Sequence, residues 1–411
     1  MDGKECYHCE NDQSKLLHII DNIRHKNLDK GVQDELYTYY DNRIRQYGGI
    51  LDLSDCIQQR NILDEIKAFF DLCRYTEFQI AFVGTIKAGK STLINALLGD
   101  NYASMSITPE TATLTKFHFS CNDYIQVKFY SQAEWEKLWL SRNNSEKFME
   151  EYNSLGAEKY KNRWIGHEIE YKELNHKDIH AELSKWSSSK SPEHFFVKEI
   201  KIGISTLPID FPSQIVFVDT PGLFDPVEYR SQITKAYIKR ANAVFVCIDA
   251  QRINQSEKEA IAAVFSICSN NKDKVYIIAT HWDKLNDPEN DWREQKDYLI
   301  KNLTGNRFFP TSKIAKDNII ATAAHIYNLC RDFDRLEKSD IISLKKFALD
   351  YDCDINNIQH RKMLEEKTNI NNIYHTIKEK IIRNYKCFLS EDMKQRYIKI
   401  MNDLNKSNFH T

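Results

Sequence analysis

No segment of this 411-residue sequence is apolar over the roughly 18 consecutive residues that a membrane-spanning helix needs. The N-terminus also lacks the apolar core of a secretory signal. An excess of charge of one sign is missing as well, because the net charge is −2 and the pI is near 6.7. Such a balance gives no general attraction to nucleic acid. These absences predict a cytoplasmic globular protein with no nucleic-acid partner.

A disulfide framework is equally absent. The ten cysteines are scattered along the chain, and without a secretory signal they are expected to be reduced. Cys6 and Cys9 form a C-x-x-C pair, which is half of a zinc site, but no second pair follows at a suitable spacing. Two interpretations stay open for this pair: a metal site, and an N-terminus with free thiols.

What is present is a core of ordinary size, with 42% hydrophobic and 28% charged residues. Between residues 76 and 332, short apolar runs alternate with amphipathic segments, which predicts an α/β fold with a doubly wound, mostly parallel sheet. Residues 197–204 alternate in polarity and predict an edge strand that leads into the core. The clearest buried strands are expected at residues 78–83, 214–219, 243–249, 275–280 and 318–321.

Two segments flank this domain, and one interrupts it. Residues 1–75 and 333–411 show helical periodicity, and their apolar faces predict that they pack together as a helical bundle. Residues 130–195 are rich in Glu, Lys, Asn, Tyr and Trp and are interpreted as an insertion. No internal repeat and no low-complexity segment is found.

The chemistry begins with a phosphate-binding loop, the P-loop. Residues 84–92 match G-x-x-x-x-G-K-[ST] between an apolar strand and a helix. The two glycines let the backbone approach a polyphosphate closely, and successive amides face it. Lys90 is expected to reach the β- and γ-phosphates and Ser91 to bind Mg²⁺. The predicted nucleotide contacts here are Gly84, Lys87, Ala88, Gly89, Lys90, Ser91 and Thr92.

A second signature, D-T-P-G, follows another apolar strand at residues 219–222. Ligands of open α/β sheets bind at the carboxyl ends of the strands. Asp219 is therefore predicted to hold Mg²⁺ through water. The Gly222 amide is predicted to bond the γ-phosphate and so to sense its presence.

Base selection is assigned to T-H-W-D at residues 280–283, which stands in the place of the guanine-selecting [NT]-K-x-D. Asp283 would accept two hydrogen bonds from guanine, a donor pair that adenine lacks. Thr280 is expected to fix the loop. His281 replaces the usual lysine, so an ATPase stays open as an alternative. The predicted base contacts are Thr280, His281, Asp283, Lys284 and, through its amide on guanine O6, Ala323.

The first switch is expected between the P-loop helix and the next strand. It needs a threonine whose hydroxyl binds Mg²⁺ and whose carbonyl holds the attacking water. Thr108 and Thr111 both qualify, and Thr111 is preferred. Pro109 favours an extended loop here rather than a helix.

These motifs together resemble the dynamin superfamily. Residues 84–99, 109–115 and 216–223, with Trp282 and Asp283, are similar to motifs of its bacterial dynamin-like and mitofusin-like branch. The resemblance covers roughly residues 75–330. It implies a Mg²⁺-dependent GTPase that converts GTP to GDP and phosphate, a homodimer formed through the GTPase domain, and a helical neck built from the flanking segments.

The same resemblance bears on partners. It implies peripheral work at a membrane, although no lipid-binding segment is visible, and the helical segments are candidates for binding a protein. The layout is equally similar to interferon-inducible GTPases, whose short helical flanks match this length. A nucleotide-gated protein-binding module with little turnover is the alternative function.

The motifs leave two interpretations open for the residue that assists hydrolysis. Leu223 stands where small GTPases carry a catalytic glutamine, so that route is absent. Lys87 occupies the P-loop position where several dimerising relatives carry an arginine finger or a cation-binding serine. Lys87 is therefore predicted to supply charge to the transition state, beside Lys90 and Thr111. The alternative is a solvated loop lysine.

Overall fold

The computed structural model describes residues 77–85, 87–103, 113–141, 146–188, 190–206, 215–224, 228–251, 253–269, 271–382 and 394–399. The chain divides into two compact units, Phe78–Thr376 and a second made of Met1–Glu77 with Ile377–Thr411. The helices predicted for residues 1–75 and the Cys6–Cys9 pair lie outside the described residues. So does most of the chain after residue 382.

The first unit is built on a nine-stranded sheet with the order β4-β3-β5-β2-β6-β1-β7-β8-β9. Five neighbouring pairs are parallel, and the pairs β2–β6, β3–β4 and β3–β5 are antiparallel. The predicted mostly parallel, doubly wound sheet is therefore confirmed. The strands are β1 Phe78–Gly84, β2 Leu114–Phe119, β3 Tyr124–Phe129, β4 Glu170–Glu173, β5 Val197–Ile204, β6 Ile215–Asp219, β7 Ala243–Asp249, β8 Val275–Thr280 and β9 Ile319–Ala321.

Helices cover this sheet and fill the connections between its strands. The helix Gln255–Ile267 is capped by Asn254, whose side chain accepts from the Glu257 backbone N–H while the Glu257 carboxylate accepts from the Asn254 backbone N–H. The helices are α1 Lys90–Leu98, α2 Gln132–Ser141, α3 Glu146–Ser154, α4 Lys161–Trp164, α5 Ile179–Ser187, α6 Glu228–Arg240, α7 Gln255–Ile267, α8 Pro288–Asn302, α9 Ser312–Asn318, α10 Ala324–Arg331, α11 Lys338–Leu349, α12 Ile358–Lys367 and α13 Ile370–His375, followed by a π-helical turn at Thr376–Ile382.

The central strands bring distant parts of the sequence together at their carboxyl ends, which are called the nucleotide edge below. Strands β1, β6, β7 and β8 are apolar at almost every position, as strands covered on both faces must be. Phe82 pairs with Asp219 on β6, and Gly84 pairs with Cys247 on β7. Because these strands are parallel, their carboxyl ends lie side by side.

The strand at residues 197–204 is not an edge strand, contrary to the sequence expectation. It lies between β2 and β3, neither of which the sequence analysis identified. The polar residues that gave the strand its alternation are paired rather than solvated. Glu199 forms an ion pair with Lys116 at 3.1 Å and accepts a hydrogen bond from the Tyr237 hydroxyl at 3.0 Å. The edge is instead β4, which comes from the predicted insertion.

The C-terminal boundary also differs from the expected one. The sequence placed the end of the α/β domain at residue 332, whereas the first unit extends to Thr376. Leu344, Phe347 and Leu364, on α11 and α12, belong to the same apolar cluster as strands β7 and β8. The apolar faces of these two helices are thus covered by the α/β domain. In the described part of the chain, no helix is both long enough and apolar enough to cross a membrane.

Candidate nucleotide site

The two glycines of the P-loop are required by their neighbours. A Cβ on Gly84 would lie 2.5 Å from the Cys247 carbonyl oxygen, closer than any real Cβ contact. Gly89 has a φ of +70°, and a Cβ there would lie 2.9 Å from the Thr280 hydroxyl oxygen. The loop is therefore packed tightly against β7 and β8, and only glycine allows both approaches.

The two lysines of the loop have different surroundings. The Lys90 ammonium donates hydrogen bonds to the carbonyls of Gly84 at 3.4 Å and Thr85 at 3.2 Å, so it lies inside the loop. Lys87 is exposed and has a φ of +66°. Ser91 and Thr92 follow in the first turn of α1, where both are partly buried.

Asp219 ends β6 beside Lys90. Its side chain is 3% exposed, and its Oδ1 atom is buried without a hydrogen-bond partner among the described residues. Burial raises the pKa of Asp219 to about 6, and the positive charge of Lys90 opposes the rise. An unpaired buried carboxylate oxygen is costly unless a ligand satisfies it. This position fits the water shell of a bound Mg²⁺.

The turn after Asp219 is held from two sides. The Thr220 hydroxyl donates to the Phe82 carbonyl on β1 at 2.9 Å. From α6, the Thr234 hydroxyl donates to the Pro221 carbonyl at 3.2 Å. The turn is thus anchored to the strand that precedes the P-loop.

Beyond the turn, Gly222 and Leu223 face opposite environments. A Cβ on Gly222 would meet no described residue within 4 Å. Leu223 is 1% exposed and lies in the main apolar core, where the Ser231 hydroxyl donates to its carbonyl at 2.7 Å. The side chain at position 223 therefore faces the core rather than the proposed phosphate site.

Thr280 connects the end of β8 to the P-loop. Its hydroxyl lies 2.9 Å from the Ala88 carbonyl oxygen and 3.0 Å from the Ile248 carbonyl oxygen, and donates to both. The side chain is 2% exposed. One buried hydroxyl thus links the end of β8 to β7 and to the P-loop.

The residues predicted to select the base, after Thr280 and His281, lie in a short turn at Trp282–Lys284. Trp282 is buried, and its indole N–H donates to the Pro288 carbonyl at 2.6 Å, which anchors the turn. The Oδ1 atom of Asp283 is buried and has no hydrogen-bond partner among the described residues. Lys284 is exposed.

His281 precedes this turn with a φ of +57°. Burial, and then the charge of Lys284, hold the pKa of His281 below its ordinary value, against the opposing charges of Asp249 and Asp283. Its Nδ1 atom lies 3.4 Å from Asp249 Oδ1, without the alignment of a hydrogen bond. A neutral ring is therefore favoured next to the candidate base site.

The Ala323 amide is not free for guanine O6. It donates to the Thr368 carbonyl at 2.9 Å, and the Thr322 hydroxyl donates to the same oxygen at 3.0 Å. Asn369 follows with a φ of +63°, and its side-chain amide donates to the Ala321 carbonyl at 2.6 Å. The backbone after β9 is thus satisfied by the end of α12, which the sequence analysis did not anticipate.

Thr108 and Thr111 lie outside the described residues, as does Ile86 in the P-loop. The first described residue after them, Thr113, is 1% exposed, and its hydroxyl has no hydrogen-bond partner among the described residues. Two residues later, Thr115 pairs with Asp219 across β2 and β6. The switch segment thus re-enters the sheet beside the predicted Mg²⁺ ligand.

Within the described part of the chain, the sheet brings Gly84, Lys90, Asp219 and Thr280 to one edge. Thr113 and the Thr368–Asn369 segment are additional residues there. An asparagine that follows a helical pattern favours the left-handed conformation, so Asn369 carried a sequence signal. Thr368 carried none, since its contact joins positions 45 or more residues apart.

Comparison with known proteins identifies the family. Residues 80–281 match the model of the dynamin family. The chain is 27% identical over 274 residues to dynamin-like protein 1 of Campylobacter jejuni, an alignment that covers 66% of this chain and 36% of the relative. It is 25% identical over 203 residues to an uncharacterised protein of Caldicellulosiruptor sp., covering 49% and 39%. The chain therefore spans well under half the length of these curated relatives.

Solved structures give weaker matches. An oligomerised bacterial dynamin pair, described as a mechanism for long-range sensing and tethering of membranes, aligns with a TM-score of 0.47 and 20% identity over 97% of this chain and 70% of that one. The bacterial dynamin GTPase LeoA from ETEC aligns with a TM-score of 0.37 and 14% identity over 97% and 48%. On this match, residues 80–281 form a domain of the dynamin superfamily of GTPases.

Proposed function

We propose that this protein is a Mg²⁺-dependent GTPase that hydrolyses GTP to GDP and phosphate at the edge formed by β1, β6 and β8. One observation carries the proposal. Two buried carboxylate oxygens, Asp219 Oδ1 and Asp283 Oδ1, have no partner among the described residues. A bound ligand that supplies donors to both would remove the cost of leaving them unpaired.

Each chain residue has a defined task in this proposal. Lys90 would exchange the carbonyls of Gly84 and Thr85 for the oxygens of the β- and γ-phosphates. Thr280 keeps the loop in place for them through its bond to Ala88. A bound Mg²⁺ would neutralise phosphate charge, with Ser91 and Asp219 as the residues that hold it.

Guanine selection rests on Asp283, since its carboxylate would accept from the base N1 and N2 donors. His281, whose pKa is held low, would cover one face of the base as a neutral ring. The contact from Ala323 is not part of the proposal, because its amide is already bonded to Thr368. Thr111, or else Thr108, would hold the attacking water.

We further propose that two copies associate through the nucleotide edge and that Lys87 supplies charge to the transition state after association. The side chain of Lys87 is exposed, so it is accessible to a second copy. In the dimer, GTP turnover would reset the helical segments. We extend this proposal to action of the dimer at a membrane surface.

The decisive experiment measures phosphate release at several protein concentrations with excess GTP. Turnover per subunit that rises with concentration supports the dimeric GTPase. Lys87→Ala should keep near-normal GTP affinity but lose this rise, while the charge-preserving Lys87→Arg should retain part of it. Unchanged turnover of Lys87→Ala at high concentration would contradict the role of Lys87. Competition of GTP binding by ATP tests base selection. Addition of liposomes to the turnover measurement tests the proposed work at a membrane surface.

A nucleotide-gated binding module with little turnover is the second candidate. It is favoured by Leu223, which lies in the core where small GTPases carry a water-positioning glutamine. A flat, negligible rate at all protein concentrations, together with GTP-dependent binding of a protein, would establish this function instead. Effective competition by ATP would point to an ATPase.

A further inference from the structure

A cleft of about 260 Å³ lies far along the sheet from the nucleotide edge. It is formed by β3 and the edge strand β4 on one side and by helices α4 and α5 on the other. In the sheet order, β5 and β2 separate β3 from β6, the nearest strand of the nucleotide site. At about 4.8 Å per strand, β3 and β6 are roughly 14 Å apart, so this cleft is not part of the nucleotide site.

The floor and one wall of the cleft are apolar. Ile125 and Val127 of β3 form the floor, and both are nearly fully buried. Trp164 and Trp186 line the wall, with their ring planes at 83° and their centroids 5.1 Å apart. Phe129 stacks behind Trp164 at 4.9 Å and makes this wall rigid. The Lys185 ammonium lies 4.3 Å from the centroid of the Trp186 ring, so a planar apolar group that packs on this ring displaces the lysine side chain.

Glu182, one of the two acidic residues of the cleft, is neutralised by the protein itself. Glu182 forms ion pairs with Lys172 at 2.6 Å and Lys185 at 3.7 Å, and accepts from the Trp186 indole N–H at 3.2 Å. Burial works against ionisation, but these donors hold the pKa of Glu182 below its ordinary value. The Glu182 carboxylate is therefore not left to attract a cationic ligand. Glu170, at the rim, lies 3.0 Å from His167, a pair that is ionic only when the histidine is protonated.

One basic residue of the cleft remains without an acid. The Arg163 guanidinium lies over the Trp164 ring, with its carbon 4.6 Å from the centroid, and it has no acidic partner among the described residues. Stacking on an indole fixes the plane of a guanidinium while its N–H groups stay free. A guanidinium held in this way is suited to a carboxylate, which it binds with two parallel hydrogen bonds.

We propose that this cleft binds a compact aromatic carboxylate, with the carboxylate on Arg163 and the ring against Trp186 and the apolar floor. The size agrees, since a cavity of about 150 Å³ holds a benzene ring. The remaining volume accommodates a short side chain and its carboxylate. The same chemistry is presented by a free aromatic acid and by the C-terminal phenylalanine or tryptophan of a peptide.

Isothermal titration of the full-length chain with 3-phenylpropionate and indole-3-acetate tests the proposal. Both acids should bind, whereas 3-phenylpropionamide and phenethylamine should bind at least roughly tenfold more weakly, because they lack the charge that Arg163 recognises. Arg163→Ala should weaken binding of the acids by a similar factor. Lys159→Ala is the matched control, since Lys159 is an exposed cation on the adjoining turn outside the cleft and its loss should change nothing.

Three results would overturn the proposal: no binding of either acid at about 10 mM, equal binding of the neutral amide, or acid binding that survives Arg163→Ala in protein whose thermal unfolding is unchanged. Peptides that end in Phe, with free and with amidated C-termini, identify the source of the ligand. Tighter binding of the free-carboxyl peptide than of 3-phenylpropionate indicates a protein C-terminus, and the reverse indicates a small molecule.

Discussion

The two halves of the sheet are held together by different means. At the nucleotide edge, the contacts are between backbone groups and small side chains, as where Gly84 and Gly89 approach Cys247 and Thr280. In the half that contains β3, β4 and β5, large rings fill the space. Trp135 lies 5.1 Å from Phe196 and 5.6 Å from Trp139, centroid to centroid.

The difference follows from what each half must accommodate. Close backbone packing at the proposed phosphate site leaves two carboxylate oxygens without partners among the described residues. Aromatic packing buries a large area per residue and gives stability. We therefore expect substitutions in the aromatic half to change the free energy of unfolding, and substitutions at the nucleotide edge to change binding and turnover.

The largest effect is expected at Trp135, which is 1% exposed. Trp135→Ala should lower the free energy of unfolding by about 3–5 kcal/mol, because it leaves a cavity among the rings. Trp135→Phe should cost less, as it keeps one ring. Denaturant unfolding measures the change. If GTP turnover of the folded variant also falls sharply, the two halves are coupled and the comparison fails.

Asp219→Asn should raise the stability of the protein and lower its turnover, the opposite of the effect expected for Trp135→Ala. The folded-state pKa of about 6 exceeds the ordinary value of 3.8, so the contribution of Asp219 to stability is full below pH 3.8 and is lost as the pH rises through 6. The neutral amide should therefore stabilise the nucleotide-free protein at pH 7.5 by up to an order of 3 kcal/mol. A lower melting temperature at that pH would contradict this.

The same substitution should reduce turnover roughly 100-fold or more, since it removes a proposed holder of the metal ion. In the unsubstituted protein, Mg²⁺-dependent GTP affinity should fall as the pH drops through about 6, because Asp219 becomes protonated. Titration of GTP binding between pH 5 and pH 8 measures this, with the Asp219→Asn variant as the control that should show no such dependence.

A smaller effect is expected at Thr280. Thr280→Val removes the hydroxyl that bonds the carbonyls of Ala88 and Ile248, so the free energy of unfolding should fall by about 1–2 kcal/mol. GTP affinity should fall roughly tenfold, as the loop loses its link to β8. Thr280→Ser keeps the hydroxyl and should restore most of both. A Val variant with normal affinity would show that Thr280 serves packing alone.

The smallest change in stability is expected at Gly222. A Cβ there would meet no described residue within 4 Å, and Gly222→Ala should change the free energy of unfolding by less than about 0.5 kcal/mol. Binding should still respond, because the methyl group would crowd the proposed γ-phosphate contact. The affinity ratio of GTP to GDP, measured with both nucleotides, should fall. An unchanged ratio would separate Gly222 from phosphate sensing.

Much of the nucleotide half was accessible from the sequence, because its strands and motifs are local. The segments that form β1, β6, β7 and β8 are continuous apolar runs, so each can be recognised as a buried strand from its own residues. The aromatic half was not accessible in this way. Strand β4 is four residues long and fully exposed, and its pairing with β3 depends on residues over 40 positions away.

The sequence by itself indicated the family and predicted the phosphate and base motifs, because glycine geometry and motif spacing act over a few residues. Tertiary structure alone decided that Ala323 is bonded to Thr368, that Leu223 is in the core and that residues 338–376 cover the α/β domain. It also decided that Arg163, Trp164 and Trp186 share one cleft. These contacts depend on which apolar faces meet when the chain collapses, and no local pattern encodes that choice.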